Sequence, residues 1–123
     1  MVADDNKLLL AVTSEALANA GFEVYTVGQG AQVYQEVLKN QPHLILLDIM
    51  MPGIDGIEIC RNLKRAPRTK DTVIVIYSGK KDPDLMDLAC AVGADGFIIK
   101  SNNFEEVISR LKEILRDKLK KEV

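Results

Sequence analysis

The sequence predicts an α/β fold, a parallel sheet covered by helices on both faces, and three observations carry that expectation. Short apolar runs alternate with helix-period segments five times along 123 residues. Two of the runs, Leu44–Leu47 and Val73–Tyr77, are unbroken and rich in branched residues, as strands buried on both faces are. The last segment is a clear amphipathic helix. A βα unit repeated five times implies parallel strands joined by right-handed crossovers. The length suits one hydrophobic core rather than two, so residues 1–123 are expected to form a single domain.

Each element has a local reason. Val2-Ala3 is a very short first run before a helical stretch from Lys7 to Asn19, and Gly21 follows where a left-handed residue closes a helix. Glu23 to Val27 reads as the second strand, and Ala31 to Lys39 as a helix stopped by Pro42. After the Leu44–Leu47 strand comes a helix from Gly56 to Lys64, with Ile57, Cys60 and Leu63 on one face. Asp84 to Ala91 is a short helix closed by Gly93, and Phe97-Ile98-Ile99 is the last strand. Asn103 and Glu106 have the spacing of a capping box. Behind them Phe104, Val107, Ile108, Leu111, Ile114 and Leu115 form an apolar stripe, which Leu119 continues.

Composition removes several function classes. A net charge of −2 gives no basic patch for nucleic acid or an anionic membrane. No apolar run reaches the ~18 residues of a membrane span, and no signal-peptide pattern opens the chain, so a cytoplasmic location is expected. Cys60 and Cys90 lack metal-ligand spacing and read as small, reduced core residues. His43 reads as a surface loop histidine, and Gly28-Gln29-Gly30 as a turn rather than a phosphate loop.

The chemistry is expected at one rim. Open parallel sheets bind ligands beyond the carboxyl ends of their strands. Asp4 and Asp5 follow the first strand there, Asp48 the third, Ser78 the fourth and Lys100 the fifth. Three neighbouring carboxylates repel one another, and a hard cation such as Mg²⁺ relieves that repulsion through oxygen ligands. An ionised Asp48 can then attack phosphorus, with Lys100 neutralising developing charge and the Ser78 hydroxyl donating to a phosphoryl oxygen. Each residue singly has an ordinary reading: Asp4-Asp5 as a solvated helix cap, Asp48 and Ser78-Gly79 as turn formers, Lys100 as a solvated strand end. Their placement at four strand ends together is what the functional reading explains.

These residues resemble the receiver domains of two-component response regulators, over essentially the whole chain. The segment from Leu46 through Asp48, Pro52 and Asp55 to Gly56 is similar to the family's phosphoacceptor segment. The resemblance implies a doubly wound, flavodoxin-like sheet of five parallel strands in the order 2-1-3-4-5. It implies Asp48 as acceptor, Asp5, Asp48 and the Met50 carbonyl as Mg²⁺ ligands, and Asp4 acting through water. Lys100 takes the position of the family's lysine, and Ser78 and Phe97 those of its hydroxyl and aromatic switch. A histidine kinase or phosphotransfer protein would donate the phosphoryl group. The fourth helix, last strand and last helix would then present a changed face to a target protein, a fused output domain or a second copy.

The chain departs from the family's pattern in three places. Lys100-Ser101 stands where Lys-Pro with a cis peptide is usual, so a trans peptide is expected, since a non-proline cis bond costs about 2.5–4 kcal/mol. The first strand is several residues short of the family norm and is expected to span only part of its neighbours. Phe97 replaces the more familiar tyrosine. Met50 and Lys80 fall where the family controls water access, and an apolar Met50 implies slow dephosphorylation. An aspartate-based phosphatase is disfavoured because Met50 stands where such enzymes place a second acid, so no enzyme activity beyond self-phosphotransfer is expected. A degenerate receiver serving as a phosphorylation-independent dimerisation or scaffold module is the alternative.

Overall fold

The computed structural model describes residues 1–51 and 53–121, with side chains through Lys118; Pro52 and the Leu119 side chain lie outside the described residues. The elements alternate as β1 (Val2–Ala3), α1 (Lys7–Asn19), β2 (Thr26–Val27), a 3-10 turn (Gly30–Gln32), α2 (Val33–Asn40), β3 (Leu44–Asp48), α3 (Gly56–Arg65), β4 (Val73–Ser78), α4 (Pro83–Ala91), β5 (Gly96–Ile99) and α5 (Phe104–Lys121). All strand pairs are parallel, in the order β2-β1-β3-β4-β5. The expected doubly wound sheet is therefore the one found.

Strand alternation splits the core into two layers. On one face Val2, Leu46, Val75, Tyr77 and Ile98 pack against Leu17 of α1 and Val107 and Leu111 of α5. On the other, Ala3, Ile45, Leu47, Ile74 and Ile76 meet Val33 and Val37 of α2, Cys60 and Leu63 of α3, and Ala89 of α4. Because β3 and β4 supply both layers, they had to read as unbroken apolar runs.

Three element expectations need correction. β2 is paired only at Thr26 and Val27, not from Glu23, because β1 offers it just two residues. The second helix starts with a 3-10 turn at Gly30 and ends one residue before Gln41, whose left-handed φ of 44° reverses the chain ahead of Pro42. The capping box of α5 is half made: Asn103 Oδ1 accepts from the Glu106 amide at 3.3 Å, but the Asn103 amide donates to Ser101 Oγ at 3.0 Å. By contrast, Gly21 and Gly93 hold the left-handed φ values expected after α1 and α4, 99° and 96°.

Cys60 is buried as expected, whereas Cys90 is exposed. It falls on the outer side of α4, whose inner side is held by Ala89. His43 is exposed, in agreement with a loop role. Gly30 is buried, and a Cβ there would lie 2.0 Å from Ile54 Cγ2, so this glycine serves close packing. The Lys100–Ser101 peptide is trans, as expected without proline, and no cis peptide occurs among the described residues.

The short β1 also has the expected consequence. It pairs with β3 only through Val2↔Leu46 and Ala3↔Leu47, while β3 pairs with β4 over five residues. Beyond it, a cleft of about 820 Å³ opens between Phe22–Tyr25 on one side and His43–Leu44 on the other.

Candidate functional site

The rim is built by strand ends on one sheet face. Val2, Leu46, Tyr77 and Ile98 share the α1/α5 face. A period of two therefore puts Asp4, Asp48 and Lys100 on that face as well. Sheet order then sets them in a row: Asp4 from β1, Asp48 from β3, Tyr77 from β4 and Lys100 from beyond β5. Asp4 and Asp48 are only 2% and 4% exposed. The helix-cap reading of Asp4 fails, because Asn6 caps α1, its side chain accepting from the Leu9 amide at 3.0 Å.

Lys100 crosses β4 to reach the acids, its Nζ lying 3.3 Å from Asp4 Oδ2 and 3.3 Å from Asp48 Oδ2. The remaining oxygens are held by the main chain: Asp4 Oδ1 accepts from the Asn6 amide and Asp48 Oδ1 from the Met50 amide, each at 3.0 Å. Asp5 is exposed and completes the cluster; oxygens of Asp4, Asp5 and Asp48 all lie within 4.8 Å of one another. The Asp4 carboxyl is raised above its ordinary 3.8, first by burial. The Asn6 amide opposes that rise, the neighbouring Asp48 adds to it, and Lys100 opposes it again. One ammonium thus leaves Asp4 under-compensated. A set of hard carboxylate oxygens held this close fits a divalent cation of the Mg²⁺ type.

The loop after Asp48 is held from below. Gly56 approaches Ile49 so closely that a Cβ would sit 2.3 Å from the Ile49 Cα. Asp55 caps α3 by accepting from the Ile57 amide at 2.9 Å. Met50 exposes 73% of its surface, leaving its backbone beside the acids and its side chain in water. Lys80 is exposed too.

Ser78 is buried at the end of β4, on the opposite face from Tyr77. Its hydroxyl is engaged with Lys80, donating to the carbonyl at 3.3 Å and accepting from the amide at 3.2 Å. The register pairs Ile76 with Phe97, which puts Phe97 on the Ser78 face, half-buried against the α2/α3/α4 layer. The structure therefore gathers Asp4, Asp5, Asp48 and Lys100 at one point. Ser78 borders that point with its hydroxyl directed elsewhere, and Phe97 lies behind it.

Sequence reasoning missed two residues. Tyr77 lies under Lys100, with Nζ 5.6 Å from the ring centroid. Strand register sets it opposite Asp48 and Ile98, and the sequence alone carries no signal for that pairing. Asp95 gathers a second ion cluster at the other end of the sheet, accepting from Lys64 at 2.7 Å, Lys118 at 2.9 Å and the Ile74 amide at 2.8 Å. No spacing rule links residues so far apart.

Comparison with known proteins identifies the family of the chain. The chain is 35% identical over 116 residues to the phosphate regulon transcriptional regulatory protein PhoB of Pseudomonas aeruginosa, a match covering 94% of this chain and 51% of that protein. It is 33% identical to the DNA-binding response regulator MtrA of Mycolicibacterium paratuberculosis, over 94% of this chain and 50% of the other. The chain thus spans about half the length of these relatives. Among solved structures, the chemotaxis response regulator CheY4 of Vibrio cholerae superposes with a TM-score of 0.85 at 26% identity, covering 92% of this chain and 94% of that one. A putative response regulator from Chloroflexus aurantiacus gives 0.87 at 28% identity, over 94% of each chain. The family model for the response regulator receiver domain matches residues 1–112, and the chain belongs to that family.

Proposed function

We propose that this receiver domain accepts a phosphoryl group on Asp48 from a phosphohistidine and uses it to switch one surface. The observation that carries this reading is the row at the rim. A buried carboxylate at the end of β3 has an ammonium 3.3 Å away and two further carboxylates close enough to share a cation.

The chemistry follows from those placements. An oxygen of Asp48 attacks phosphorus, the P–N bond breaks, and its electron pair returns to the imidazole of the donor, leaving an acyl phosphate on Asp48. Lys100, already beside Asp48, offsets charge on the phosphoryl oxygens. Asp5, Asp48 and the Met50 carbonyl would hold Mg²⁺ directly, with Asp4 acting through water. When bound, the ion supplies the positive charge that three carboxylates and a phosphoryl group require. The Ser78 hydroxyl gives up its long contacts with Lys80, which are weak at 3.2–3.3 Å, and donates to a phosphoryl oxygen instead. Phe97 packs into the space behind it, so α4, β5 and α5 present a different face.

In this reading the chain catalyses nothing beyond its own phosphorylation and a slow dephosphorylation. An exposed Met50 has no group to position an attacking water. Its donor is a histidine kinase or phosphotransfer protein, and its target a separate protein or a fused output domain, as the half-length match to two longer regulators suggests. Incubation with Mg²⁺ and acetyl phosphate, followed by intact mass, tests the acceptor. The wild type should gain one phosphoryl mass and Asp48→Asn none. Equal gain in both, or none in the wild type, refutes the assignment.

A further inference from the structure

We propose that Tyr77 is a positioning residue for Lys100, its ring forming the floor that carries the ammonium from β5 across β4 to the two buried acids. This deepens the acceptor reading of Asp48 and rests on it. Lys100 leaves the sheet at the end of β5, while its partners stand on β3 and β1. The intervening strand is β4, and the β4 residue on that face is Tyr77, paired on one side with Asp48 and on the other with Ile98. Any path for the lysine stem on this face passes over that ring.

The ring is suited to the task. Tyr77 is 2% exposed, packed in the α1/α5 layer, and so cannot swing away. Its centroid lies 5.6 Å from Nζ, within the range where an aromatic face attracts a cation. Lys100 itself is 23% exposed at the side chain and has a water-facing alternative to the acids. A leucine or valine at position 77 would leave an apolar floor that resists an ammonium; the aromatic face favours it. Burial raises the phenol of Tyr77 above its ordinary 10.0, so the ring stays neutral throughout the working range of the site.

The test separates ring electronics from packing. Tyr77→Phe keeps a cation-attracting face, and pentafluorophenylalanine at position 77 keeps the shape but removes that attraction. Phosphorylation by acetyl phosphate with Mg²⁺ should stay near the wild-type rate in Tyr77→Phe. It should slow roughly 5- to 30-fold in the fluorinated protein, the worth of one desolvated cation–π contact. In a Lys100→Ala background the fluorinated ring should add no further loss, since the two act as one unit. Independently of phosphorylation, the Lys100 ε-methylene protons should show an upfield ring-current shift in wild type and Tyr77→Phe, relaxing toward the ordinary lysine value in the fluorinated protein. A fluorinated protein as fast as Tyr77→Phe overturns the proposal, as does a loss that persists without Lys100, or an unshifted Lys100 in the wild type. Failure of the wild type to take up phosphate would refute Asp48 as acceptor, and the lysine spectrum would still decide the role of Tyr77.

Discussion

Asp4 and Asp95 are shifted in opposite directions from the ordinary carboxyl value, and the contrast separates function from stability. Asp4 is raised above 3.8 by burial and by Asp48, against the Asn6 amide and Lys100. Its charged form therefore destabilises the metal-free fold, and stability falls as pH rises from the ordinary carboxylate value through the raised one. Two outcomes are expected in thermal melts at pH 7. Asp4→Asn raises the melting temperature of the metal-free protein. Mg²⁺ raises that of the wild type, stabilising the fold by about 2.7 kcal/mol at a hundredfold excess over its dissociation constant, and raises that of Asp4→Asn less. A mutant no more stable than wild type would show that Lys100 fully compensates the acids. Asp95 behaves oppositely. Burial would raise it, but hydrogen bonds from Lys64, the Ile74 amide and Lys118 outweigh burial and hold it below 3.8. Its contribution is complete above the unfolded value of 3.8 and disappears as pH falls through the lower folded one.

Elements explain why Asp95 matters. Lys64 comes from α3, Ile74 from β4 and Lys118 from α5, so one carboxylate ties both helical layers to the sheet at the end opposite the rim. Lys64 also donates to the Thr72 carbonyl at 2.8 Å. Removing one partner of a buried ion pair costs about 3–5 kcal/mol, and the partial exposure of Lys118 sets this case toward the lower end. Asp95→Ala should lose roughly 3 kcal/mol in urea titrations at pH 7. Phosphorylation of Asp48 should be retained, because the cluster lies away from it. A loss under about 1 kcal/mol would reduce the network to surface pairing. At this scale the sequence was most legible in the helices. The bounds of α1, the acidic start of α5 and its buried Val107 and Leu111 all follow from helical period and end signals. Pairing defeated it at β2, because Val24 and Tyr25 have strand propensity but the ladder with β1 holds only Thr26 and Val27.

Across the whole molecule, stability should be uneven along the sheet. β3 and β4 are paired over five residues and buried between both layers. β1 stops at two residues, and the alternation of its hydrogen bonds points the Tyr25 and Leu44 amides into the cleft beyond it. Hydrogen exchange should therefore find Ile45 and Ile74–Ile76 the slowest amides, with Tyr25 and Leu44 faster by orders of magnitude. Uniform protection along β3 would contradict that gradient.

The sequence by itself determined the fold class and the acidic cluster. Unbroken apolar runs, helical stripes and turn residues are local signals, and a strand's carboxyl end follows from knowing the strand. Hence Asp4, Asp5, Asp48 and Lys100 could be placed at one rim before any contact was known. The tertiary structure alone decided what depends on neighbours brought in from far along the chain. It put Tyr77 beneath Lys100, turned the Ser78 hydroxyl onto Lys80, exposed Cys90 and made Asp95 the tie between layers. Each of these rests on strand register or helix rotation, which the packing of both layers fixes at once and no single segment encodes.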